Sequence, residues 1–273
     1  MEKADEFLKV MYELASNGKP FAVATVVRTF GSTLSKPGFK AIIDAQGNFV
    51  FGSLGGACPE SAISEAAVDS IRERRTHLVR VFLEDVGNAL AGSVRVNSVE
   101  EVHVETNCGG NMEVFVEPFA PPERLVVISD GGHNEVAESL CSLASSVGFQ
   151  VEAIDPSGLM KGAAKVHRME DISEFVFNHD DYVVLVTMGR IDIPALYALS
   201  KTSVKFVGLM GSKKRIADDF GKLIERGVPS SFIESVHAPV GADIGSQTPQ
   251  EIALSILAEV VAVKRGKHLP HKQ

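Results

Sequence analysis

The chain has 273 residues, 45% of them hydrophobic and 23% charged. These are ordinary globular values that exclude a wholly disordered or fibrous protein, and the length favours two domains at roughly 100–200 residues each. The formal net charge of -8, from 27 basic and 35 acidic residues, works against binding to nucleic acid or to an anionic membrane surface and leaves a protein or small-molecule partner.

The opening MEKADEFLKVMYEL is amphipathic and acidic, unlike a secretion signal. No window holds the roughly 18 apolar residues of a membrane span. Phe7, Leu8, Met11 and Leu14 recur at helical spacing, with Gly18 placed to stop the helix. FAVATVV (21–27), KAIID (40–44) and NFVFGSL (48–54) read as strands, the last two joined by a turn at Ala45, Gln46 and Gly47. A helix is expected from Pro59 to about Arg75, and HLVRVFL, SVRV, VEEVHVET and MEVFVEP supply further strands. An α+β domain over 1–119 follows, closed by the proline-rich PFAPPER (118–124).

Beyond it, strand and helix alternate: RLVVIS, a helix over 135–147, FQVEAID, a short helical segment near 170–177, and DYVVLVTM. A helix at 192–201, the strand VKFVGLM and helices at 213–226 and 248–264 complete the series. Strands separated by helices of this length form a parallel sheet, so 124–267 is expected to be a doubly wound, Rossmann-like domain. Its strand ends carry Asp130 to His133, Asp155, Thr187 to Asp192 and Gly211 to Arg215, whose loops should share one rim.

Three cysteines, Cys58, Cys108 and Cys141, lie too far apart for a CxxC zinc site or a disulfide framework. Free thiols in the cytoplasm are expected. In Gly52-Ser53-Leu54-Gly55-Gly56-Ala57-Cys58-Pro59-Glu60 the glycines let the backbone approach a ligand, and a thiol at a helix start feels the positive end of the macrodipole, which favours the thiolate. The alternative is a small buried hydrophobe closing the turn. Cys108 and Gly109 lie in a second glycine loop, TNCGGN, and both thiols would face one ligand if the sheet brings the loops to one edge. Cys141, inside SLCSLA, reads as packing. Ser32 and Thr33 in the GST segment, with Lys36-Pro37-Gly38, suit an anion or serve as a hairpin connection.

In the second half, Asp130-Gly131-Gly132-His133-Asn134 follows a strand and precedes a helix, with Asp155 beyond. That is the layout of a dinucleotide-binding unit, in which an acidic residue is expected about 20 residues after the glycines. Asn134 and Ala137 stand where further glycines belong. Ser212, Lys213, Lys214 and Arg215 place cations at a helix start, suited to phosphate or exposed as a solvated basic turn. HAPVGADIG, with Asp243, precedes Thr248-Pro249-Gln250-Glu251, a capping box with proline at the first helical position.

At these residues a family resemblance appears. RTFGSTLSKPGFKAIIDAQGNFVFGSLGGACPESAI resembles the N-terminal XdhC/CoxI signature, and GLMGSKKR with HAPVGADIGSQTPQEIALSILAEVVAVKRG resembles the family's C-terminal domain. The chain reads TMGRID at 187–192 where relatives carry a THDH-like segment. The resemblance implies binding of molybdopterin, the molybdenum cofactor, and its maturation and insertion into a xanthine dehydrogenase-type molybdoenzyme. It implies that client and a cysteine desulfurase as partners, and no turnover of its own; a homodimer is expected besides. Under it, the leading cofactor contacts are Cys58 with Gly55 and Gly56, and Cys108 with Gly109; Ser32 and Thr33 in the first domain and Gly132, His133, Asp155, Ser212, Lys213, Arg215 and Asp243 in the second are the further candidates read from the loops above. No catalytic residue or metal-ligand set is assigned. The alternative is an NAD(P)- or nucleotide-dependent oxidoreductase or transferase.

Overall fold

A computed structural model describes residues 2–31, 33–84, 92–96, 99–105, 110–267 and 269. The chain divides into two compact units, residues 1–121 and 122–273. No described helix is long and apolar enough to cross a membrane.

The first unit comprises α1 (Glu2–Ser16), β1 (Phe21–Phe30), β2 (Lys40–Asp44), β3 (Phe49–Gly52), α2 (Ala57–Glu73), β4 (His77–Glu84), β5 (Gly92–Val96), β6 (Val99–Glu105) and β7 (Gly110–Phe119). Its sheet has seven strands in the order β3-β2-β1-β7-β4-β6-β5. β4 and β6 pair in parallel, whereas β1 pairs antiparallel with both β2 and β7.

Side chains alternate between the faces of a strand. Ala22, Ala24 and Val26 accordingly join Ile43, Val79, Val81, Val114 and Val116 in a core with Ile63, Ala66, Ala67 and Ile71 of α2. The opposite face presents Phe21, Val23 and Ile42 to Phe7, Val10, Met11 and Leu14 of α1, an i, i+3, i+4, i+7 stripe. Leu8, expected on that stripe, is 63% exposed; the hydrophobic stripe runs through Val10 instead.

The second unit contains β8 (Arg124–Ile128), α3 (Glu135–Ser146), β9 (Gln150–Ile154), β10 (Lys165–His167), a 3-10 turn at Ile172–Glu174, β11 (Tyr182–Leu185), α4 (Asp192–Leu199), β12 (Phe206–Leu209), α5 (Lys213–Glu225), α6 (Ser230–Ser235) and α7 (Pro249–Lys264). The sheet order is β10-β9-β8-β11-β12, and every pairing is parallel. Strands buried on both faces need apolar residues throughout, which LVVI and YVVL supply. Leu125, Val127, Val184 and Phe206 pack with Leu140, Cys141 and Ala144 of α3 and Ile256 and Val260 of α7. Val126, Ile128, Val183, Leu185 and Leu209 pack with Leu196 and Leu199 of α4 and Ile216 and Leu223 of α5. This is a doubly wound, Rossmann-like parallel sheet. Its strand order reverses between β8 and β11, where such folds leave a crevice at the carboxyl ends of the strands.

Candidate functional site

In the first unit the GST loop, the GSLGGAC loop and the start of β7 converge. A Cβ on Gly31 would stand 3.1 Å from the Cα of Gly110, and one on Gly55 would stand 2.5 Å from Ser35 Oγ and 2.9 Å from Ser35 N. Ser35, 2% exposed, donates its hydroxyl to the carbonyl of Leu54 and sits 3.4 Å from Met112 Sδ. These contacts leave no room for a side chain at Gly55, which also has φ +106.

The loop is held at its other end by Glu60. That carboxylate accepts from Ser53 Oγ at 2.6 Å and from Leu54 N at 3.1 Å, tying the exit of β3 to the first turn of α2. Gly56 is the N-cap, with φ 128 and ψ 169 and no side-chain cap hydrogen bond, and among the described residues beyond its chain neighbours a Cβ there would meet nothing within 4 Å.

The helix begins at Ala57 rather than at the expected Pro59. Pro59 therefore occupies the third helical position instead of the first, tolerated because its missing N–H is one of the four that a helix start leaves without an internal partner. Cys58 lies in the first turn, where the macrodipole acts most strongly. Thr33 belongs to the same loop cluster and its Oγ1 accepts from Ser35 N at 3.2 Å. Ser32, Cys108 and Gly109 lie outside the described residues.

In the second unit, hydrogen bonds join the strand-end loops into one rim. Met188 N donates to Asp130 Oδ2 at 2.9 Å, and the Arg190 guanidinium donates to the Asp130 carbonyl while its Nε lies 3.8 Å from Asp130 Oδ2. Arg215 reaches back from α5 to donate to the carbonyls of Thr187 and Met210, and its Nε lies 3.3 Å from Asp192 Oδ2. Two glycines clear its path: a Cβ on Gly189 would meet Arg215 Cδ at 3.1 Å, and one on Gly211 would meet Arg215 Nη2 at 2.9 Å.

Thr187 donates its hydroxyl to Asp192, which is fully buried. Burial pushes the Asp192 carboxyl above its ordinary value, against the Thr187 hydrogen bond and the charge of Arg215, with Asp219 and Asp130 reinforcing the rise. Arg215 thus serves as a clamp across loops, its Nη2 shared between two protein carbonyls and its Nε beside the Asp192 carboxylate.

The residues expected at a dinucleotide also have partners within the chain. Asp155 is fully buried, and its carboxylate accepts from the N–H groups of Ser157, Leu159 and Met160 and from Ser157 Oγ. Its oxygens shape the turn after β9. Asn134 caps α3, accepting from Ala137 N at 3.1 Å and donating to the Val186 carbonyl at 2.9 Å. Gly132, at φ +84, donates its N–H to Ser157 Oγ. His133 is exposed, with Nδ1 3.1 Å from Glu138 Oε1 and Nε2 3.6 Å from Glu135 Oε1. Those two acids in the first turn of α3 oppose the dipole's attraction for a pyrophosphate.

The first turn of α5 has no acid and keeps Lys213 exposed, while Ser212 caps it by accepting from Arg215 N at 3.3 Å. Asp243 is exposed.

Sequence reasoning missed Ser35 and Glu259, and it gave Glu60, Asp130 and Arg190 no bonding role within the loops it singled out; none carries a local pattern beyond the carboxylate one helical turn after a glycine run. Glu259, 2% exposed, explains HAPVGADIG. Its Oε1 lies 2.7 Å from His237 Nδ1 and its Oε2 accepts from Gly241 N at 2.6 Å, while a Cβ on Gly241 would meet Ser255 Oγ at 2.5 Å. The loop is moulded on α7. Among the described residues no group of three or more His, Cys, Asp or Glu side chains is placed to hold a metal ion.

Comparison with known proteins gives a consistent affiliation. The XdhC Rossmann domain model matches residues 126–260, and the XdhC and CoxI family model matches residues 14–81. The uncharacterized protein YqeB of Escherichia coli (strain K12) is 29% identical over 264 residues, covering 93% of this chain and 45% of YqeB. A probable xanthine dehydrogenase subunit of Bacillus subtilis (strain 168) is 28% identical over 162 residues, covering 56% of this chain and 46% of that protein. The molybdenum cofactor insertion chaperone PaoD of E. coli (strain K12) is 22% identical over 293 aligned positions, covering 94% of this chain and 87% of PaoD. The chain spans under half the length of the first two. The crystal structure of a xanthine dehydrogenase from Bacillus halodurans superposes with a TM-score of 0.47 at 19% identity, covering 95% of this chain and 96% of that one. With residues 14–81 and 126–260 matched in order by the two models, the chain belongs to the XdhC and CoxI family.

Proposed function

We propose that this protein is an accessory factor that binds the molybdenum cofactor through the first unit's glycine loops and delivers it to a xanthine dehydrogenase-type enzyme. One observation carries the reading: the loops bearing Thr33, Gly55 and Gly56 and the start of β7 at Gly110 converge beside the first turn of α2, in which Cys58 lies. The residues present fit such a group. Gly56 brings no capping side chain to the helix start, where a helix leaves N–H groups without an internal partner that suit an anionic group, and thiolate sulfur suits a soft metal centre. When bound, the cofactor supplies the redox-active metal of the client enzyme. This chain's residues hold and shield it.

PaoD's name describes molybdenum cofactor insertion, and the Bacillus subtilis relative is named as a probable xanthine dehydrogenase subunit; both support the reading. On the same reading a cysteine desulfurase supplies sulfur to the bound cofactor, and the protein works in the cytoplasm as a homodimer, with domain limits at 1–119 and 124–267. The test is mass spectrometry of the protein purified anaerobically from its own source, with Cys58→Ser alongside. A bound molybdopterin that is lost or strongly reduced in the variant is expected. Retention of the full complement by Cys58→Ser would remove the thiol from the site.

A nucleotide-dependent oxidoreductase or transferase is the second reading, favoured by the strand order that reverses between β8 and β11. Bound dinucleotide in the same preparation would select it.

A further inference from the structure

Beside the GSLGG loop, the first unit has a cavity of about 790 Å³, lined by Phe7 and Leu8 of α1, Phe39, Phe51 and Ser53, with Glu6 and Lys40 among its polar walls. That volume lies in the range of small-molecule sites, roughly 300–1,000 Å³, which are mostly apolar with a few placed polar groups. Its walls remain partly uncovered: Leu8 is 63% and Phe39 39% exposed. Phe7 and Phe51 meet edge to face, with centroids 5.8 Å apart at 63°, which fixes one aromatic wall. Gly38, with φ +93 and nothing within 4 Å of a Cβ, leaves one side of the cavity open. The ammonium of Lys40 is anchored 2.8 Å from Thr25 Oγ1, while the carboxylate of Glu6 belongs to an exposed residue of the wall.

We infer that this cavity takes the flat, bicyclic heteroaromatic end of a pterin. Three phenylalanines in its walls present π-faces and edges on which a planar ring stacks. An aminopyrimidinone edge offers two adjacent N–H donors, and a carboxylate accepts such a pair in parallel; Glu6 is the carboxylate in the lining. The cavity includes Gly52 and Ser53, immediately before the loop that leads to Cys58. A pterin here would therefore project its side chain toward Gly55 and Gly56. The inference rests on the proposed cofactor binding and assigns its organic end to Phe7, Phe39, Phe51 and Glu6, none of them among the contacts that the resemblance implies.

Metal-free biopterin, titrated against the full chain by quenching of its own fluorescence, tests this apart from any metal chemistry. Saturable binding is expected. Phe39→Ala should weaken it about tenfold or more, the loss of one base–aromatic stack, and Glu6→Gln should weaken it about fivefold, the loss of one charged hydrogen bond. Leu8→Trp, at an exposed helical position, should fill the cavity and block binding while the circular dichroism stays that of the wild type. Leu159→Ala, an equally exposed apolar site in the second unit, should change nothing. Equal binding by the wild type, Phe39→Ala and Leu8→Trp would overturn the assignment, as would no biopterin binding by the wild type. If the chain purified anaerobically still carried molybdopterin in either case, the cavity would fail and the proposed function would stand. If it carried none, both would fail.

Discussion

Replacing Gly55 and Gly56 separately by alanine separates backbone strain from steric closeness in the loop that leads to Cys58. Gly56 has φ 128 and ψ 169 with nothing among the described residues beyond its chain neighbours within 4 Å of where an alanine methyl would stand, so Gly56→Ala carries the cost of a conformation nearly restricted to glycine, about 1–3 kcal/mol. Gly55 has φ +106, and its methyl would stand 2.9 Å from Ser35 N and 3.0 Å from Ser35 Cα. Backbone atoms cannot rotate away, and Ser35 is itself held by Leu54 and buried. Overpacking adds about 1–3 kcal/mol, so Gly55→Ala should cost about 2–6 kcal/mol in total. Because two units need not unfold together, a global melt is a poor reporter. Hydrogen exchange read at peptides from β1 and α2 reports the first unit directly. Exchange there should accelerate in both variants, more in Gly55→Ala. Wild-type protection in Gly55→Ala, or a larger effect at Gly56, would refute the packing on which the candidate site rests.

Other outcomes follow from the geometry. Burial raises the Asp192 carboxyl above 3.8, so the native state holds this proton more tightly than the unfolded chain and ionisation costs stability as pH rises through the native value. The stability of the wild type relative to Asp192→Asn should therefore improve as pH falls from that raised value toward 3.8, and a flat or opposite trend in urea midpoints would contradict the burial argument. Cys141 is fully buried, and burial pushes its thiol up to about 12. Iodoacetamide at neutral pH should label Cys58 before Cys108 and leave Cys141 intact until unfolding, as read by peptide mass spectrometry; early labelling of Cys141 would contradict its burial, and faster labelling of Cys108 the dipole argument. Calorimetric titration with NAD and NADP should give no binding in the low micromolar range, about -8 kcal/mol, because Asp155 is committed to Ser157, Leu159 and Met160; affinity of that order would select the oxidoreductase reading.

The alternation of the second unit is legible because doubly buried parallel strands must be apolar at every position, as in LVVI and YVVL. β10 is not, since Lys165, Val166 and His167 become a strand through pairing with Glu152, Ala153 and Ile154 of β9. α6 has six residues, too few to display a period. Leu8 misleads because Phe7, Leu8, Met11 and Leu14 satisfy helical spacing as well as Phe7, Val10, Met11 and Leu14 do, and only the sheet beneath selects the second set.

The loops divide along the same line. Composition states that the backbone must bend at GSLGGAC and at HAPVGADIG, and leaves open around what. At Gly241 the answer is internal: Glu259 and Ser255 of α7 occupy the concave side. At Gly56 no atom of the described residues beyond its chain neighbours lies within 4 Å of where a side chain would begin, although Gly55 is packed against Ser35. Packing therefore explains Gly52, Gly55 and Gly241, and does not explain Gly56 or Gly245. Each motif thus mixes glycines that packing requires with glycines that it does not. At Gly241 the packing partners lie 14 and 18 residues away along α7, a separation that no local pattern encodes.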